Sequence, residues 1–370
     1  MRRLIGSLIM LISMAGGWLW MDYDHAIYDP LPIREIRYFE IAKGESVPQL
    51  SERLEQDGII ASSLWFNLAV RLHSVAGRFK AAAQRNNSGF SKAAAQRNNS
   101  GFLKAAGQRN YSGLLKYGEY EINPGITAAQ LMELFASGKV RRHALTMVEG
   151  WTLRQYLDML QKQSALQHDV LDAADLMKKL GRPDEQPEGR FYPDTYFFTK
   201  GTAESEILRL AYRKMQTTLA TVWEKRAAGL PFTQPYEALI LASIVEKETA
   251  VARERPLIAG VFIRRLQMNM RLQTDPTVIY GLGERFDGNI HRRDLENDTP
   301  FNTYTRSGLP PTPIANSGND AIHAVLHPDL TGSHLYFVAR GDGSHEFSSS
   351  LEAHLRAVDQ YQLHPHQAHP

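Results

Sequence analysis

The sequence predicts an α+β protein with an N-terminal membrane anchor, a small strand–helix–helix–strand module, and a larger mixed α+β domain in which a helix carries a glutamate. Three observations predict this. Eighteen uncharged residues, Leu4 to Met21, follow Met1-Arg2-Arg3. Between Ile36 and Ile122, two strand-like segments bracket two amphipathic helical patterns. Further on, the apolar run Leu239 to Val245 ends abruptly in Glu246-Lys247-Glu248.

As a helix, Leu4 to Met21 spans about 27 Å at about 1.5 Å per residue, enough for a hydrocarbon core. Trp18 and Trp20 fall where an interfacial aromatic belt sits, and Arg2 and Arg3 favour a cytoplasmic N-terminus. Ser13-Met14-Ala15 is a small-x-small sequence that would suit cleavage of a signal peptide, but the apolar run continues past it without a polar break. The expectation is therefore an uncleaved single-pass anchor over 1–21 in the inner membrane, with the rest of the chain periplasmic. Composition sets limits. Over 370 residues, 42 basic and 40 acidic side chains give a net charge of +2, so there is no electrostatic footprint for nucleic acid. The absence of cysteine excludes disulfides, thiol catalysis and zinc–thiolate sites.

A linker over 22–35, with prolines at Pro30 and Pro32, leads to a strand at Ile36 to Ile41. Gly44-Glu45-Ser46 then opens a helix carrying Val47, Leu50 and Leu54 and closed by Gly58. A second helix follows Ser62 and Ser63, with Leu64, Leu68 and Leu72 at spacing four, and Tyr117 to Ile122 reads as a returning strand. This order resembles a LysM-like βααβ module over 36–143, a fold associated with N-acetylglucosamine polymers; a small scaffold that only spaces the next domain from the membrane gives the same pattern. An insert at about 80–115 holds a tandem repeat: KAAAQRNNSGFS starts at Lys80, recurs at Lys92, and returns as KAAGQRNYSGLL at Lys104. Its period of 12 is far below the solenoid range, and each copy carries a helix-breaking Ser-Gly, so it reads as a duplication tolerated at an exposed loop. A helix at Thr127 to Phe135 follows.

The larger domain is expected over 144–360, with a flexible tail at 361–370. Ala144 to Val148 reads as a strand, Arg154 to Leu160 and Asp169 to Leu180 as helices, and Glu188 to Tyr196 as a Gly/Pro-punctuated loop. Ile207 to Arg226 is a long helix, Pro235 precedes the helix containing SIVEKE, Arg255 to Gln267 is a further helix, and Arg271 to Tyr280 reads as irregular. At about 100° per residue, Glu246 shares a face with Leu239, Ala242 and Ser243, two of them small, which suggests a groove beside the carboxylate. A carboxyl next to an apolar run is poorly solvated and stays protonated, as the acid that cleaves a glycosidic bond must be. The competing reading makes Glu246 and Glu248 the solvated end of a buried helix.

Four stretches bear on that choice: SIVEKE itself, ERPLIAGVFIRRLQMNMRLQTDPTVIYGLG from Glu254, FNTYTRSGLPPTPIANSG from Phe301, and HPDLTGSHLYFVARGDGSHEF from His327. Together they closely resemble the MltG (YceG-like) family of membrane-anchored endolytic murein transglycosylases, over roughly 36–79 and 116–360. The resemblance implies a carbon–oxygen lyase with a lysozyme-like helix-borne glutamate and no cofactor. It would cleave the MurNAc–GlcNAc β-1,4 bond of nascent peptidoglycan by letting the muramic acid 6-hydroxyl attack its own anomeric carbon. The products would carry 1,6-anhydroMurNAc ends, glycan strand elongation would terminate, and penicillin-binding synthases would be partners. By resemblance Glu246 is the catalytic acid; Glu248 is its rival, turned toward Leu241, Ile244 and Val245. Substrate contacts are expected from Ser243, Glu248, Gln273, Thr274, Asp275, Tyr280, Asn302 and Tyr304, with Thr303 in the same polar cluster as Asn302, and with Tyr280 and Tyr304 as flat platforms under sugar rings. His323, His327, His334 and His345 form no HExxH-type pairing, so no metal is expected. The alternative from a different class is a non-catalytic LysM-type peptidoglycan-binding anchor, which needs no acid in an apolar cleft.

Overall fold

The computed structural model describes residues 2–72 and 115–363, with side chains from residue 5 onward. The repeats that begin at Lys80, all but Leu115, and the tail histidines His364, His366 and His369 lie outside the described residues. The chain divides into two compact units. One comprises Met1–His143 with Thr199–Gly201, the other Ala144–Phe198 and the chain from Thr202 onward.

In the first unit, α1 (Arg2–Tyr28) contains one stretch, Ile5–Tyr28, that is long and apolar enough to cross a membrane. The helix runs past the expected anchor end at Met21. Its last turns pack: Ile27 is fully buried alongside Leu31 and Ile33, and the Trp65 indole donates to Asp22 at 2.7 Å. Ile27, Leu31 and Ile33 thus join the core, because their apolar side chains have surface to bury, while most other residues over 22–35 are exposed. The strands β1 (Arg37–Ile41) and β2 (Gly118–Ile122) pair antiparallel, Phe39 opposite Tyr120. Between them α2 (Val47–Gln56) starts from a Ser46/Gln49 capping box and buries Val47, Leu50 and Leu54. The next helix, α3 (63–72), corrects an expectation: Leu64, Leu68 and Leu72 face outward, and Phe66, Ala69 and Val70 are buried. A second capping box, Thr127 with Gln130, opens α4 (Ala128–Ser137).

The strand β3 (His143–Thr146) enters the second unit at Ala144, and α5 (Leu153–Gln161), β4 (Leu166–Gln167), α6 (Ala173–Lys179), β5 (Thr195–Phe198), β6 (Thr202–Ala203) and α7 (Glu204–Glu224) follow. Strand β3 pairs with β5, and β4 pairs parallel with β6. The helix expected from Asp169 begins only at Ala173, since the Asp172 side chain caps it by accepting from the Asp175 amide. Then come α8 (Pro235–Glu248), α9 (Arg255–Gln267), α10 (Asp275–Leu282), α11 (Arg292–Glu296) and α12 (Asn319–Leu326). A hairpin of β7 (Tyr336–Ala339) and β8 (His345–Ser348) and α13 (Leu351–Val358) follow. The segment read as irregular over Arg271 to Tyr280 is helical from Asp275, with Pro276 in the first turn, where its missing N–H leaves nothing unpaired. At the centre lies α8, packed on by α7, α9, α10 and α12. Every side chain from Ala238 to Val245 is buried, the pattern of a helix with apolar residues all round.

Close approach fixes one helical glycine. A Cβ on Gly260 of α9 would lie 2.1 Å from the backbone oxygen of Asp329. Ala is the better helix former by about 1 kcal/mol, but backbone cannot step aside cheaply, so overpacking of about 1–3 kcal/mol wins. Gly260→Ala is expected to lower the thermal unfolding midpoint of the second unit; an unchanged or raised midpoint would show that the loop at Asp329 yields freely.

Candidate active site

Buried α8 places two carboxylates in its last turn. Glu246 and Glu248 are about 200° apart around the axis, so they meet different surroundings.

Glu246 is held. Its Oε1 accepts from Arg255 Nη2 at 3.0 Å, its Oε2 accepts from the Gly318 amide at 2.9 Å, and its side chain is 5% exposed. Burial pushes its carboxyl above the ordinary value, while the Gly318 amide and then the Arg255 charge pull it back. Among the described residues, the face expected to carry a groove is packed. Leu239 and Ala242 are core residues, and Ser243 is fully buried. The Ser243 hydroxyl donates to the Ile240 carbonyl at 2.7 Å and accepts from the Ile314 amide at 2.9 Å. Ser243 thus fastens the Ile314 loop onto α8 and has no surface for a ligand, a correction to its expected role.

Glu248 faces open space. It lines a cavity of about 550 Å³ together with Arg265, Gln273, Asp275, Tyr304 and His345. One wall is apolar, with Leu272, Leu351 and Leu355. Burial raises the Glu248 carboxyl to about 7; a hydrogen bond donated by the Thr274 hydroxyl to Oε1 opposes that rise, as do His345 when its ring carries a second proton and the Arg265 charge, while Asp275 adds to it.

The expected contact residues divide between cavity and scaffold. Gln273, held at φ 48°, and Asp275 are exposed at the cavity, and the Tyr304 hydroxyl donates to Asp275 Oδ1 at 2.5 Å. Thr274 sits behind Glu248 in a buried threonine cluster: its amide donates to Thr303 Oγ1 at 3.0 Å, and Thr277 Oγ1 donates to its carbonyl at 2.7 Å. Asn302 is corrected to a scaffold residue. Its amide nitrogen donates to the carbonyls of Asp294, Leu295 and Asn297, its oxygen accepts from the Tyr304 amide, and it is 1% exposed. Tyr280 lies at the other end of α10, in a separate groove; its hydroxyl donates to Glu188 at 3.1 Å and its edge meets Phe301. The sequence reading gave no role to Arg265, weighed His345 only as a metal ligand, and passed over Glu254, whose Oε2 lies 2.7 Å from His345 Nδ1. The segment from Tyr336 to Ser348 reads as two short strands around Gly341-Asp342-Gly343, a hairpin signal that would have brought His345 back toward α9.

The YceG-like family matches residues 39–360, and the chain belongs to that family. An endolytic murein transglycosylase of Bacillus subtilis is 37% identical over 175 residues, 47% of this chain and 48% of the relative. One from Streptococcus pneumoniae is 28% identical over 223 residues, 58% of this chain and 40% of the relative. The matches span less than half the length of these curated relatives. A crystal structure of a yceG-like protein from Listeria monocytogenes superposes with a TM-score of 0.50 and 28% identity, covering 88% of this chain and 99% of that one.

The raised Glu248 carboxyl has a consequence for stability. Folded protein keeps a proton there from the ordinary value of 4.5 up to about 7, whereas the unfolded chain releases it. Folding is therefore weakened as pH rises through that window, and the cost is complete above it. Glu248→Gln removes the titrating group, so relative to wild type it should gain on the order of 2–3 kcal/mol between pH 4.5 and pH 8. Urea unfolding of both proteins across that range checks this; parallel stability curves would contradict it.

Proposed function

We propose that the protein is a single-pass inner-membrane lytic transglycosylase that cuts the MurNAc–GlcNAc β-1,4 bond inside nascent peptidoglycan strands, with Glu248 as its acid. The observation carrying this reading is a buried carboxyl, raised to about 7, that opens onto a cavity with polar groups converging on it. Such a group is protonated often enough at neutral pH to donate to a departing oxygen. The Thr274 hydroxyl engages one of its oxygens and leaves the other for the proton. Membership of the YceG-like family, and relatives named endolytic murein transglycosylases, support the same chemistry.

The resemblance put the acid on Glu246; its surroundings favour a different role. A carboxylate bonded to a buried arginine and a backbone amide is poorly placed to deliver a proton and well placed to fasten α8 to α9 and the Gly318 turn. At Glu248, proton transfer to the leaving oxygen frees the anomeric centre, and the muramic acid 6-hydroxyl closes onto it to leave a 1,6-anhydro end. The vacated carboxylate is the minimal acceptor for that hydroxyl's proton. Asp275, steered by Tyr304, and Gln273 offer hydroxyl-binding groups at the cavity rim. We further read residues 36–143 as a LysM-like glycan-holding module, 144–360 as the catalytic domain and 361–370 as a tail, with the N-terminus cytoplasmic and the catalytic domain periplasmic. Strand termination alongside penicillin-binding synthases fits an anchor that keeps the cleft near emerging strands.

Glu248→Gln should lower cleavage by about 10²–10⁴-fold while the fold survives. Glu246→Gln should keep most turnover per folded molecule but lose about 1–3 kcal/mol of stability, since it removes the nearer of the two carboxylates that pair with buried Arg255 and leaves Asp320 at 3.6 Å as the remaining one. In ¹⁸O-water, the new sugar ends should carry no label. The acid assignment fails if Glu246→Gln stops turnover and Glu248→Gln does not. Labelled reducing ends would indicate a hydrolase, and intact glycan a binding anchor.

A further inference from the structure

Resting on that reading of the cavity, we infer that His345, oriented by Glu254, is a second catalytic residue, the base that takes the proton from the attacking sugar hydroxyl. The vacated Glu248 carboxylate would then be only the fallback acceptor. His345 opens β8, and Glu254 stands in the short turn just before α9. The imidazole Nδ1 lies 2.7 Å from Glu254 Oε2, and the His345 amide donates to Glu254 Oε1 at 3.2 Å. Both side chains are close to fully buried, at 12% and 8% exposure. Because a carboxylate can only accept, Nδ1 must carry the hydrogen, and the neutral ring then has its lone pair on Nε2. Among the described residues no hydrogen bond engages Nε2, and His345 lines the cavity that Glu248 opens onto. The rings of Phe337 and Phe347 flank the imidazole, at 5.5 and 6.5 Å between centroids, and fix its plane. A base held by a third group, beside an acid in a shared cavity, is the arrangement that nucleophile activation requires.

The step balances without a co-reactant. The 6-hydroxyl gives its proton to His345 Nε2 as its oxygen bonds to the anomeric carbon. The bond from that carbon to the leaving oxygen breaks, and Glu248 protonates that oxygen. Glu248 is left ionised and His345 cationic, and return of one proton from ring to carboxylate resets the site. The charged and titratable groups facing this cavity besides this pair are Arg265 of α9, Asp275 of α10, Tyr304, Tyr336 of β7 and His354 of α13.

The test uses the full chain in detergent, purified glycan strands, and mass spectrometry of anhydro ends. His345→Ala should release them about 10²-fold or more slowly. Added imidazole should restore part of that rate, in proportion to its unprotonated fraction as pH is varied, a response that a purely structural loss would not give. Glu254→Gln, which keeps size, should fold and be at least tenfold slower without rescue by imidazole. The inference is overturned if His345→Ala matches wild type, if it is slow and imidazole does nothing, or if folded Glu254→Gln cleaves at the wild-type rate. If wild-type protein itself yields reducing ends or no cleavage, the reading of the site has failed instead.

Discussion

Eight consecutive buried residues, Ala238 to Val245, leave α8 no face for water, and the second unit is arranged around that constraint. Four helices pack on it because each apolar side chain withdrawn from water stabilises the fold by about 1.5–3 kcal/mol. Beyond Val245 the helix stops being apolar, and there the two glutamates enter surroundings that the core has already desolvated. Burying an unpaired carboxylate is costly, so each must find a charge or hydrogen-bond partner, or keep its proton.

The two solutions differ, and the difference makes the site. Glu246 is satisfied by Arg255 from the next helix and by the first amide at the head of α12, so it joins three elements at their ends. Glu248 is given a neutral hydroxyl, Thr274, and a view into the cavity; with no guanidinium in hydrogen-bonding contact it retains a proton near neutral pH. The threonine cluster of Thr274, Thr277 and Thr303 is what sets α10 behind Glu248, and Asn302 pins the loop that supplies Tyr304. The cavity is thus a by-product of how neighbouring segments cap one helix end.

Much of this was legible in the sequence, and the remainder was not for reasons of separation along the chain. The apolar run before SIVEKE announced poorly solvated carboxylates, and both are raised. Which glutamate would be neutralised depended on Arg255, nine residues on, and Gly318, 72 residues on, pairings that helical spacing cannot reveal. Ser243 and Asn302 looked available because polar side chains in motif-rich stretches invite ligands; each instead satisfies buried backbone groups, a demand visible only once the loops are placed. The dyad of His345 and Glu254 joins residues 91 positions apart through a hairpin, so weighing the histidines only as metal ligands overlooked it. In the first unit, Leu64, Leu68 and Leu72 repeat at spacing four, but the buried side of α3 is the one that carries Phe66, Ala69 and Val70.

The central claim is that Glu248, through burial and its hydroxyl partner, holds a proton near neutral pH. Infrared difference spectra recorded across a pH titration of the full chain, wild type against Glu248→Gln, test it most directly. The account predicts a protonated-carboxyl band in wild type that vanishes with a midpoint near 7 and is missing from the variant. A wild-type spectrum in which no such band depends on Glu248, or in which it is lost near the ordinary carboxyl value of 4.5, would contradict it.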